Sequence, residues 1–146
     1  MKSLYFLIAL VLLVSTATFG CSSSSDKAAA ENITASYFEA IRNKDFDAAI
    51  SFYSPKYFEL VSKDDWLQVL KAVNEKLGDL ETYELTSYEF GKVVGTIENG
   101  TSCKLQYEVI YSKYPAIETL TLFRSATGGE YNIVGHKINS IGLAFE

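Results

Sequence analysis

The 146-residue chain has one histidine, one tryptophan, two cysteines and two prolines, and it is short of positive charge, with 13 Lys and Arg against 18 Asp and Glu. Each shortage excludes a class of chemistry. An acidic chain lacks the basic footprint that nucleic acid demands, so no nucleic-acid partner is expected. One imidazole and the one cysteine of the body of the chain, Cys103, do not furnish a soft zinc site. His136 would have to serve any Ser-His-Asp arrangement, yet no G-x-S-x-G elbow is present. No glycine-rich phosphate loop occurs. Asn43, Asp45 and Asp47 have the spacing that opens a calcium loop, but the glycine after them is missing and the twelfth position is Ser54. Helix capping accounts for the same residues. No metal, cofactor or catalytic residue is assigned.

Apolar runs are also scarce, with one exception. Leu4 to Val14 (LYFLIALVLLV) carries no charge and follows Lys2. It falls short of the roughly 20 residues that span a bilayer. Its length, its basic flank and the small residues after it fit the h-region of an export signal. The run leads through Thr18-Phe19-Gly20 to Cys21, and there it resembles the lipobox of bacterial lipoproteins. Gly20 is the small residue such a cut requires, while Thr18 stands where that family usually has leucine. The resemblance implies removal of residues 1–20 and acyl chains on Cys21, which makes the membrane the first partner. Localisation would be the cell envelope, lipid-anchored to a bacterial membrane. Two or more chains make such attachment stable where one is marginal. Ser15 and Ala17 form a small-x-small pattern that a general signal peptidase would use, and that cut would release a secreted, soluble protein.

Ser22 to Ser25, with Asp26 and Lys27, have no apolar face, so residues 21–29 read as a flexible tether. Residues 30–146 are one domain's worth of chain. Loss of residues 1–20 removes Lys2 and leaves 12 basic against 18 acidic residues. Acylation of Cys21 would leave Cys103 without a partner for an internal disulfide. Cys103 alternates with core positions and reads as a small buried hydrophobe.

Along the domain, Ile33, Tyr37, Phe38 and Ile41 recur at helical spacing, and Asn43-Lys44 breaks the pattern. Asp45 is placed as an N-cap, with Phe46, Ala49, Ile50 and Tyr53 as the next stripe. Ser54-Pro55 stops that helix, and a short extended piece over 57–61 is expected. Ser62 and Asp65 have capping-box spacing ahead of Trp66, Leu70, Val73 and Leu77, and Gly78 is the natural C-cap. The period then changes to two. Strands are expected over 83–97, around 103–111, over 117–125 and over 130–143. Asn99-Gly100 is read as a hairpin turn, and Gly128-Gly129 as another.

The expected fold is α+β, with three N-terminal helices packed on a strongly curved antiparallel sheet of four long strands, a cone-like roll. The element order, the segment FEAIRNKDFDAAISFYSPKYF and the segment YNIVGHKIN resemble the nuclear transport factor 2-like superfamily, which also holds ketosteroid isomerase and polyketide cyclases. Fold alone does not settle activity. Enzymes of that fold set a tyrosine and carboxylic acids in an apolar pocket. Tyr107 and Tyr111 are expected to face inward, and Tyr37, Tyr53 and Tyr57 to line the cone mouth. His136, expected in register with Val134 and Ile138, is read as a hydrogen-bonded structural residue facing the same interior. No acid is expected among them: Glu108 falls opposite Tyr107, Glu39 lies beside the helical stripe, and Asp79 precedes the long strands. The reading that follows is a non-catalytic envelope lipoprotein, binding a small apolar ligand or an envelope protein. The alternative is an isomerase- or cyclase-like enzyme with a tyrosine-lined pocket.

Overall fold

A computed structural model describes residues 21–95 and 98–144, with side chains from Ser24 onward; the expected signal segment lies outside the described residues. The order is α1 (Cys21–Arg42), α2 (Phe46–Ser51), a 3-10 turn (Pro55–Glu59), α3 (Lys63–Leu77), β1 (Leu80–Val93), β2 (Gly100–Tyr111), β3 (Ala116–Ser125), β4 (Asn132–Asn139) and a last 3-10 turn (Ile141–Leu143). The strands form one open antiparallel meander in the order β1-β2-β3-β4. The fold is therefore α+β, three helices followed by a four-stranded sheet.

Each helix ends where local chemistry stops it. Ala30, Thr34, Tyr37, Phe38 and Ile41 form the buried face of α1. The Asp45 amide bonds back to the Ala40 carbonyl and the Lys44 amide to that of Ile41, a Schellman closure with Lys44 in the left-handed region at φ 57°. Asp45 Oδ1 then accepts from the Ala48 amide at 3.0 Å and starts α2. Ser62 Oγ accepts from the Asp65 amide at 3.1 Å and starts α3, a contact worth about 1 kcal/mol. Gly78 ends α3 at φ 91°, where a Cβ would stand 2.1 Å from Ser112 Oγ.

Three expectations need correction. The piece over 57–61 is not extended. Ser54 Oγ accepts from the Tyr57 amide and Pro55 sits at the first helical position, so the chain coils into a 3-10 turn. Asn99-Gly100 is not the centre of a tight turn, because Gly100 already pairs with Val93 inside the sheet. A glycine is required there because a Cβ would meet the Arg124 carbonyl oxygen at 2.3 Å. The tether, finally, is helical. Helix α1 already begins at Cys21, and within it Asp26 is tied to Arg124 at 2.5 Å and the Lys27 ammonium lies over the Tyr88 ring at 5.0 Å. These long-range contacts hold a stretch whose composition alone would leave it solvated.

The core lies between the helices and one face of the sheet. Strand β2 sends Cys103, Leu105, Tyr107, Val109 and Tyr111 inward, and β3 sends Ala116, Glu118, Leu120 and Leu122. Strand β4 is irregular: Leu122 pairs with Ile133 and Thr121 with Gly135, so Val134 is bulged out of the ladder. The bulge changes parity, which brings both Ile133 and His136 to the core side and sends Val134 elsewhere. A parallel bridge joins Tyr53 to Ile133, through Ser54 N–H to the Ile133 carbonyl and Ile133 N–H to the Phe52 carbonyl, both at 2.9 Å. It fixes the Tyr53 side chain beside His136.

Candidate functional site

The core contains an acid, contrary to the expectation from sequence. Glu118 has no exposed surface, and its carboxyl group is held from two sides. Tyr111 Oη donates to Glu118 Oε1 at 2.5 Å, and His136 Nε2 meets Glu118 Oε2 at 2.9 Å. The other imidazole nitrogen, Nδ1, lies 2.7 Å from Tyr53 Oη. A carboxylate only accepts, so Nε2 carries the proton toward it; in the neutral ring Nδ1 then accepts from Tyr53. The result is a chain Tyr111–Glu118–His136–Tyr53 that ties β2, β3, β4 and the segment after α2 together. Both members of the central pair have side chains that are 0% exposed.

Aromatic rings wall this chain. Tyr37 meets His136 edge-on at 5.5 Å between centroids, and Trp66 does so at 5.8 Å. Tyr57 and Trp66 pack on Tyr53. Burial holds the phenols protonated. The Tyr111 pKa is pushed far above its ordinary value by burial, then by the charge of Glu118 and the hydrogen bond to it. Tyr53 is raised by burial. Tyr37 is raised by burial and by Tyr53.

Of the residues expected to line a pocket, Tyr37, Tyr53, Tyr111 and His136 come together here. Tyr107 does not join them. Its hydroxyl is 2.6 Å from Thr34 Oγ1, its ring packs on Phe38 and Tyr83, and burial pushes its pKa up to about 12. Cys103 is buried, its thiol pushed up to about 12 by burial and then by Glu31. Glu108 and Glu39 are exposed, as their positions predict. Cys21 opens α1, and its side chain lies outside the described residues. Glu118 was missed, although its signal was present: it alternates with Ala116, Leu120 and Leu122, and a charge in an apolar register marks a buried polar site.

Two hollows lie near the cluster. A groove of about 580 Å³ is lined by Tyr57, Leu60, Val93, Phe123 and Val134, with the Lys56–Glu98 ion pair at its rim. Phe123 is on the sheet face opposite the core, and Val134 reaches the groove because of its bulge. A second hollow of about 410 Å³ is lined by Ile50, Pro55, Phe58, Lys63 and Tyr53. Of the cluster residues, Tyr53 alone borders either hollow. No family model matches the chain, and no curated protein matches it.

Proposed function

We propose that the chain is an exported protein held on a bacterial membrane by acyl chains on Cys21, and that its domain is a non-catalytic binding module of the cell envelope. In this reading the sheet is the strongly curved, cone-like roll of the nuclear transport factor 2-like kind. The bulges in β1 and β4 and the covering of one face by helices support that shape. The apolar groove beside Tyr57 and Phe123 receives a small apolar ligand.

The observation that carries the non-catalytic reading is the sealing of Glu118 and His136. A general acid or base has to come within hydrogen-bond reach of a substrate, directly or through one water. These two side chains have no exposed surface and are satisfied by each other and by two tyrosines. Such a fully paired network specifies a unique core.

A second reading, an isomerase- or cyclase-like enzyme, has one observation in its favour. A phenol and a carboxyl group share a short hydrogen bond inside an apolar interior, and a hollow borders Tyr53, the last member of the same chain of hydrogen bonds. Chemical modification separates the two. His136 is the sole histidine, so the ultraviolet band of the imidazole acylated by diethylpyrocarbonate reads it alone. The non-catalytic reading expects the folded protein to resist acylation, its rate at least ~100-fold below that of the urea-unfolded chain, as follows when reaction needs a rare opening. Reaction of the native protein at the rate of a free imidazole would mean that the interior admits small molecules, and would favour the enzyme.

A further inference from the structure

With lipid on Cys21, the fold decides how close the domain lies to the bilayer and which end faces it. Helix α1 runs without a break from Cys21, and the Asp26–Arg124 ion pair fastens it to the end of β3. Five helical rises, about 7.5 Å, separate Cys21 from Asp26. No slack chain lies between anchor and body.

The same end gathers other parts of the molecule. Arg124, Gly128 and Gly129 share a hollow with Lys92, Val93 and Val94 at the end of β1. Val93 in turn shares the groove wall with Leu60, which follows the first 3-10 turn. The strongest apolar exposure among the described residues is here: Val94 is 87% exposed and Leu60 86%, with Val93 beside them at 38%. Cations at this end sit in pairs, Lys56 with Glu98, Arg124 with Asp26 and Lys27 with Glu31.

We infer that this end is a second membrane contact, in which Val94 and Leu60 enter the boundary between headgroups and acyl chains of the same bilayer that holds Cys21. The inference rests on the lipid-anchor reading. A bilayer is favoured over a protein partner because the missing slack brings its surface within reach of these side chains, and because insertion by apolar side chains needs no net charge. The mouth of the groove then opens toward the lipid, where an apolar ligand would be found.

Spin labels test it in the full acylated protein, reconstituted in vesicles of phosphatidylethanolamine and phosphatidylglycerol. Val94→Cys, Leu60→Cys and Ile141→Cys each replace an exposed residue, so folding is not at stake. Ile141, 61% exposed, lies after β4 near Tyr114 and Leu77, at the other end of the strands. Cys103 is buried and does not compete for label. The expected result is a several-fold excess of oxygen over nickel-chelate accessibility at 94 and 60, the reverse at 141, and no change with salt. Aqueous labels at 94 and 60 on vesicle-bound protein overturn the inference and leave the anchor standing. Protein absent from the vesicle fraction sinks the anchor reading instead. Labels shielded from both reagents in native membranes, yet aqueous in pure lipid, would identify a protein cover and also overturn it.

Discussion

Replacing Glu118 by leucine is expected to destabilise the domain by about 3–5 kcal/mol, the usual cost of removing one partner from a buried pair. The cost arises from what is left behind. The His136 Nε2 and the Tyr111 hydroxyl would both remain in a dry interior without their acceptor. Against a typical total of about 5–15 kcal/mol, that loss brings the protein near its unfolding threshold. Glu118→Gln retains an acceptor for Tyr111 and should cost less, about 1–3 kcal/mol. The double variant Glu118→Leu, His136→Leu should cost clearly less than the two single changes together, because it removes both polar partners. Urea unfolding followed by the fluorescence of Trp66, the sole tryptophan, measures all three. A cost below about 1 kcal/mol for Glu118→Leu would mean that the pair is reached by water and is not the sealed network described above.

Alkali is expected to unfold the domain cooperatively. Tyr37, Tyr53, Tyr107 and Tyr111 are each at most 5% exposed, and burial is the first cause of every one of their raised pKa values. The sign follows from proton counting. In the unfolded chain these phenols ionise near their ordinary value of 10.0. In the folded domain they keep their protons to higher pH. The stability they contribute is fully present below pH 10 and is lost as pH rises from there toward the folded values, about 12 for Tyr107, higher for Tyr53 and Tyr111, and raised likewise for Tyr37. Each group lowers stability by about 1.4 kcal/mol per pH unit once the unfolded form is ionised, so four together give roughly 5–6 kcal/mol per unit. The share of tyrosinate absorbance that comes from the four buried phenols, beyond that of exposed rings such as Tyr88 and Tyr114, should therefore rise together with the loss of circular dichroism in one steep transition. Tyr107→Phe should reduce its pH dependence by one group's share, about 1.4 kcal/mol per pH unit. Full tyrosinate absorbance, that of every tyrosine, reached with the circular dichroism still intact would contradict the burial assigned to these four residues.

The helical half of the fold was legible because its signals are local. Stripes such as Leu70, Val73 and Leu77, and caps such as Asp45, Ser62 and Gly78, act within one or two turns of chain. The long strand β2 was equally plain, since its alternation runs unbroken from Cys103 to Tyr111. What escaped depends on partners distant in sequence. The helical form of Cys21 to Lys27 is held by Arg124, 98 residues from Asp26, and by Tyr88. Val134 leaves the core register because of a bulge that only pairing with β3 defines. His136 was correctly placed among hydrogen-bonding partners, but their identity needed the bridge that sets Tyr53 on β4. Glu118 differs from these. Its parity with Ala116, Leu120 and Leu122 was readable, but what makes a buried glutamate tenable there is Tyr111 and His136, which only the paired strands bring to it.

The measurement that bears most directly on the account is the intact mass of the N-terminal peptide from protein extracted out of membranes. Cleavage before Cys21, with a diacylglycerol on its sulfur, predicts a peptide that begins at Cys21 and carries the mass of two or three acyl chains. A peptide beginning at Thr18 without added mass would mean ordinary secretion, and one still beginning at Met1 would mean no export processing; either contradicts the anchor.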